Sequence, residues 1–215
     1  SSLGIAIQSA LERLEGAERK PTELIEYVKN IETQSIKVPT GYQDYLAAYY
    51  KGVNIFSFTV DGIRHEPVED ENFLRELEQH LFLVYTSPHF SGVNNWELFR
   101  KHIDQDAYTI SFFERLRENA ERCREAFLTK DLSALATVMT KDWEDRKAMI
   151  PTMSTPLIDE VIIRLKKAGA LGWRVCGAGG GGCIAFLLPP DKHGETRDIL
   201  QKMPEVKIIN CSIAR

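Results

Sequence analysis

Apolar positions along the chain follow two periods, and the switch between them predicts an order of elements. Leu3, Ala6, Ile7, Ala10, Leu11 and Leu14 recur at helical spacing, with Gly16 placed to stop that helix and Ser1 or Ser2 placed to cap it. A second helix is predicted after Pro21-Thr22-Glu23, where proline suits the first turn and Glu23 the positive end, burying Leu24, Ile25, Val28 and Ile31. A turn at Pro39 and Gly41 then leads into a short helix with Asp44 in its first turn. For an isolated aspartate there, capping is the ordinary role. Val53 to Thr59 and Ile63 to Val68 alternate around Asp61-Gly62, the signature of a type I′ hairpin. The acidic stretch Glu66 to Asn72 reads as a domain boundary.

Beyond it, Leu81 to Tyr85 reads as a buried strand that runs into a loop, Thr86 to Gly92. From Asn94 to about Met149 the pattern is helical, with Ile110, Phe113, Leu116, Cys123 and Phe127 on one apolar face and Leu132, Leu135, Ala136 and Met139 on another. Thr155 as cap, Pro156 inside it and Asp159 and Glu160 near the positive end open the next helix, which Lys166, Lys167 and Gly169 close. Strands at Trp173-Arg174-Val175 and Ile184 to Leu188, a helix from about Lys192 to Lys202 and a strand from Val206 to Ile213 complete the chain. The C-terminal two-thirds therefore predicts a ferredoxin-like, split βαβ layout with added helices, in an α+β protein.

Composition narrows the function classes. The 215 residues are 43% hydrophobic with a net charge of −4, enough to bury a core in one or two domains. Acids and bases are mixed, so no basic stripe points to nucleic acid, and no apolar run is long enough to cross a bilayer. Cys123, Cys176, Cys183 and Cys211 lack zinc or disulfide-framework spacing, which reads as a reduced, cytoplasmic chain. His80 and His102 are expected on solvated faces. The chain opens at Ser1-Ser2-Leu3-Gly4 directly into a helix, with no initiator Met and no signal-peptide pattern, as though cut within an element.

The densest feature is Cys176-Gly177-Ala178-Gly179-Gly180-Gly181-Gly182-Cys183. Glycine between two strands packs nothing and costs backbone entropy. Composition leaves two readings open: a flexible hairpin turn, or a loop whose backbone must approach something closely.

Three segments in order resemble the GHMP small-molecule kinases. Ser1-Ser2-Leu3-Gly4-Ile5-Ala6 is similar to the tail of that family's phosphate loop and the helix after it. Gly41-Tyr42-Gln43-Asp44-Tyr45-Leu46-Ala47-Ala48 is similar to the segment carrying its catalytic aspartate. Ala168 to Gly182 resembles its C-terminal glycine motif, and Ser154 to Asp159 before it also fits. Within the family the chain looks most like the sugar-kinase branch that includes D-glycero-D-manno-heptose 7-phosphate kinase, although Tyr42 stands where that branch often has a lysine. The family's first strands and most of its phosphate loop have no counterpart in this sequence.

The resemblance implies a two-domain kinase fold, with residues 1–68 the remainder of an ATP-binding N-terminal domain and 69–215 the C-terminal domain. It implies ATP and Mg²⁺ as cofactors and a sugar or sugar-phosphate hydroxyl as acceptor, with Asp44 catalytic. Ser1, Ser2, Gly179 and Gly180 would meet the nucleotide, Ser2 the metal, and Gly41, Tyr42, Gln43, Thr86 and Gly177 the substrate. A mevalonate-type acceptor and a non-catalytic binding domain of the same fold are the rival readings. The isolated piece is expected to be inactive.

Overall fold

A computed structural model describes residues 1–17, 19–37, 40–87 and 95–214. The chain divides into two units, Ser1–Glu69 with the C-terminal residues from Ile213, and Asp70–Ser212.

In the first unit, α1 (Ser2–Glu15) ends at Gly16, whose left-handed conformation lets its N–H reach Glu12 O. Ser1 stands at the N-cap without a side-chain bond. Helix α2 (Pro21–Ile36) starts on a proline, and the Glu23 carboxylate accepts from Lys20 N at 3.4 Å. Helix α3 (Gln43–Tyr49) and the antiparallel hairpin β1 (Val53–Thr59) and β2 (Gly62–Val68) follow. Ile5, Leu24, Ile25, Val28, Tyr45 and Leu46 form the core of this unit.

Three expectations are corrected in this unit. The hairpin connection is Val60-Asp61, and Gly62, with φ 126°, is the residue of positive φ. A type I′ turn needs positive φ at both central residues, so this is a different turn. Ile31 is 47% exposed and not part of the core. Most of all, the apolar stripe of α1 faces outward: Leu3 and Leu14 are 72% and 83% exposed, while the helix buries Ile5 and Glu12. The buried Glu12 carboxylate is matched there by Gln8 and Arg19. Burial pushes its pKa up, and those two partners outweigh it to hold the group low.

In the second unit, α4 (Glu71–His80) leads into β3 (Leu81–Ser87), then α5 (Asn95–Ile103), α6 (Ala107–Leu128) and α7 (Leu132–Met149). A 3-10 turn, Pro151–Met153, precedes α8 (Pro156–Lys167), followed by β4 (Gly172–Val175), β5 (Gly182–Leu187), α9 (His193–Leu200) and β6 (Lys207–Ile209). The sheet order is β4-β5-β3-β6, antiparallel throughout. The first strand of the ββ-containing half thus lies between the third and the last, the ferredoxin-like arrangement. Phe82, Val84, Trp173, Val175, Ile184 and Phe186 project from one sheet face into a cluster with Ile158, Val161 and Leu165 of α8. Each such burial contributes about 1.5–3 kcal/mol.

Helix α4 has no counterpart in the sequence reading, and the last strand is three residues long, not eight. On α6 the buried positions are Thr109, Phe112, Asn119 and Ala126, so the core face is rotated from the Ile110–Phe113 stripe toward polar residues. That rotation accommodates a buried carboxylate on α7. Asp145 accepts from Asn119 Nδ2 at 2.9 Å and Lys141 Nζ at 2.6 Å. Asp142 is met by Arg146 Nε at 2.8 Å and Arg174 Nη1 at 2.9 Å. His102 is exposed, as expected, and His80 is half-buried, with Nδ1 2.8 Å from Glu76 O. Among the described residues no helix is long and apolar enough to cross a membrane.

Candidate active site

The glycine run connects β4 to β5, and all five of its glycines, Gly177 and Gly179 to Gly182, carry positive φ. Two of them show why. A Cβ at Gly179 would lie 2.6 Å from Met153 O and 2.8 Å from Met153 Cβ, so only glycine permits the approach. Gly180 N then donates to Met153 O at 2.6 Å, which fastens the loop to the turn before α8. At Gly177, with φ 67°, a Cβ would meet nothing within 4 Å. The run is therefore a loop held in its middle, with open space beside Gly177 and Gly182 at its two ends, which removes the flexible-turn reading.

The anchor is itself built into the sequence. Thr155 Oγ1 caps α8 by accepting from Ile158 N at 3.2 Å, and Ser154 Oγ donates to Asp159 at 2.7 Å. These bonds fix the chain just after Met153, which is buried. On the other side, the buried Thr86 hydroxyl donates to Gly182 O at 3.1 Å, beside a bulge in β3. Thr86, expected to meet substrate, thus holds the loop, and so do Gly179 and Gly180, which are buried. Gly177 is the exposed member. The rest of the expected wall, positions 88–92, lies outside the described residues.

In the first unit, Asp44 sits in the first turn of α3, exposed. It does not cap that helix: Tyr42 holds the N-cap position, with no side-chain bond there. Among the described residues its carboxylate has no hydrogen-bond or ion-pair partner. The neighbours Tyr45 and Leu46 anchor the helix in the core, so an open carboxylate is carried on a fixed support. Gly41 and Gln43 beside it are exposed. Ser2 is the first residue of α1 and exposed.

Tyr42 joins two residues that the sequence reading passed over. Its hydroxyl donates to the Glu26 carboxylate, and Lys29 Nζ lies 4.6 Å over its ring. The Glu26 bond and burial hold the Tyr42 phenol above its ordinary value, while the same bond lowers Glu26. Glu26 and Lys29, three apart on α2, pair at 3.3 Å. A cavity of about 610 Å³ opens there, lined by Ile25, Glu26, Tyr42, Tyr50, Phe56 and His65 among others. The only signal for Glu26 and Lys29 was their spacing on one helix face, which solvated ion pairs share. No group of three or more metal-ligating side chains occurs among the described residues.

Comparison with known proteins gives these features a setting. Residues 123–206, from α6 through the glycine loop to the approach to β6, match the family model of the GHMP kinases C terminal. This part of the chain is a GHMP-kinase C-terminal domain. Over 183 residues the chain is 28% identical to the bifunctional fucokinase/GDP-fucose pyrophosphorylase of Arabidopsis thaliana, a match covering 80% of this chain and 17% of that protein. It is 24% identical over 182 residues to the D-glycero-alpha-D-manno-heptose 7-phosphate kinase of Campylobacter jejuni, covering 84% and 53% of the two. The chain thus spans about half the length, or less, of these curated relatives. Among solved structures, Lactococcus lactis galactokinase complexed with galactose superposes with a TM-score of 0.75 at 17% identity, covering 98% of this chain and 64% of that one. The GHMP-kinase fold therefore extends over both units.

Proposed function

We propose that the chain forms part of an ATP-dependent kinase that moves the γ-phosphoryl group to a hydroxyl of a sugar or sugar phosphate. One observation carries this reading: Asp44 presents an exposed carboxylate, without a partner among the described residues, on a helix fixed by its neighbours, at the position the family resemblance gives to the catalytic aspartate. Such a group takes the proton of an attacking hydroxyl or orients it. Phosphoryl transfer otherwise needs positioning and charge stabilisation more than covalent chemistry.

Ser2, with the first N–H groups of the fourteen-residue α1, fits the phosphate and Mg²⁺ end of a bound nucleotide. When bound, ATP with Mg²⁺ supplies the transferable group and screens its oxygens. Gly177 is the part of the glycine loop open to a ligand, and Gly179, Gly180 and Thr86 keep the loop in shape for it. Tyr42, tied to Glu26 and flanked by Lys29, sits on the acceptor side with Gly41 and Gln43. The relatives that act on fucose, heptose phosphate and galactose support a sugar-type acceptor. The free cysteines fit a reducing, cytoplasmic compartment.

The test is ADP release with ATP and Mg²⁺ over a panel of sugars and sugar phosphates, using the protein at its native length. Asp44→Asn is expected to lower turnover at least about a hundredfold while nucleotide binding persists. Near-normal turnover in that variant removes Asp44 from the chemistry, and silence of the whole panel removes the sugar acceptor.

A further inference from the structure

Two of the four cysteines flank the glycine loop, and the loop's geometry sets them face to face. Val175 pairs with Ile184 across β4 and β5, and one step further Cys176 N donates to Cys183 O at 2.8 Å. Directly opposed residues of an antiparallel pair project from the same sheet face, with Cβ atoms about 4.5–5.5 Å apart. Disulfides span Cα separations of about 4.4–6.8 Å, which opposed strand residues satisfy, and Cβ separations of about 3.5–4.5 Å, so the two Cβ atoms must close by about 1 Å. The geometry points to Cys176 and Cys183 as a dithiol–disulfide pair at the foot of the glycine loop, a redox-modification site that low-molecular-weight disulfides oxidise.

The surroundings fit that role. Cys176 is exposed and Cys183 half-buried, so an oxidant reaches the pair from solvent. Arg174, two residues before Cys176, shares its face of β4, and its positive charge favours the thiolate that must attack. Desolvation of the sulfur itself and the neighbouring Cys183 act the other way and push the Cys176 thiol up. The connection absorbs the small backbone shift a bond requires, because Gly177 and Gly182 have open space around them. A bridge here would pin the loop at its base, while the Gly180–Met153 bond already holds its middle.

The chemistry balances without a metal or cofactor. The Cys176 thiolate attacks the small disulfide and releases one small thiolate. The Cys183 thiolate then attacks the mixed disulfide at Cys176, forms the Cys176–Cys183 bond and releases the second. The two protons lost by the cysteines end on the two small thiols, and the two electrons reduce the small disulfide.

The experiment needs no nucleotide or substrate, so it stands apart from the kinase reading. The native chain is incubated with oxidised glutathione, free thiols are titrated, and linked peptides are mapped by mass spectrometry. Of the four cysteines in this sequence, two are expected to lose their thiols, with a Cys176–Cys183 link and no retained glutathione, and a reductant should restore all four. A Cys123→Ser/Cys211→Ser variant should lose both remaining thiols. In Cys176→Ser, Cys183 should instead keep a stable glutathione adduct. The proposal is overturned by stable adducts on Cys176 and Cys183 in the native chain, by a bridge to Cys123 or Cys211, or by four thiols surviving the treatment.

Discussion

The two units place their clearest apolar helix stripes in opposite ways. In α8, Ile158, Val161 and Leu165 are fully buried against the sheet. In α1, an equally regular stripe of Leu3, Ile7, Leu11 and Leu14 is exposed, and the buried side carries Ile5 with Gln8 and Glu12. The difference lies in what each helix can offer on its other face. The outer side of α8 is charged, with Arg164 paired to Glu160 at 2.6 Å, so only its apolar side can meet a core. The polar side of α1 carries its own compensation, because Glu12 brings Gln8 and Arg19 to satisfy it. Periodicity therefore identifies a stripe, but pairing on the opposite face decides whether that stripe must be covered.

The candidate residues of each unit, taken separately, repeat the contrast. In the second unit the glycine loop is held at Met153 and Thr86; in the first, Asp44 is left open. The sharpest way to break this description is to put a methyl group on the loop. Gly179→Ala combines left-handed strain with a contact 2.6 Å from Met153 O, and should destabilise the protein by about 3 kcal/mol. Gly177→Ala has the strain alone and should cost about 1 kcal/mol. Equal losses in chemical denaturation would mean that the anchor to Met153 is not what holds the loop.

The next effect concerns the buried carboxylate of the second unit. Burial raises the pKa of Asp145, but bonds from Lys141 and Asn119 and the charge of Arg115 outweigh it and leave it lowered. A group whose folded value lies below its unfolded one stabilises the fold above the unfolded value, and that stability is lost as pH falls through the folded value. Asp145→Asn should therefore cost about 2 kcal/mol near neutral pH. It should also flatten the loss of stability below about pH 4, where carboxylates titrate. An unchanged acid limb in thermal melts from pH 7 to pH 2.5 would assign that limb to other groups.

Much of this was legible in local chemistry. The Thr155-Pro156 cap, the strands flanking the glycine run and the placement of Asp44 each depend on residues adjacent in sequence. What was not legible depended on contacts far along the chain. Phe73, Leu74 and Leu77 are the buried side of α4, yet that helix begins inside the acidic stretch Glu66 to Asn72 that reads as a boundary. Asn119 is buried because Asp145, twenty-six positions away, needs a donor. The Asp61-Gly62 pair predicts a tight hairpin turn, but the register sets the connection one residue earlier, at Val60-Asp61, and its type differs accordingly. At the site, neither Glu26 nor Lys29 announces itself, because their partner Tyr42 comes from the next helix.

The smallest predicted effect bears on the comparison most directly. Leu14 is 83% exposed, so Leu14→Ser should change stability by no more than about 0.5 kcal/mol, the range for surface substitutions away from special features. Denaturation midpoints at two protein concentrations, tenfold apart, make the measurement decisive. A small loss independent of concentration means that the outward face of α1 is solvated. A loss of 2 kcal/mol or so, growing with concentration, is the size expected for removing a buried leucine contact between chains. That outcome would place α1 with α8 after all, as a helix whose apolar stripe is covered, the cover being supplied by a second molecule.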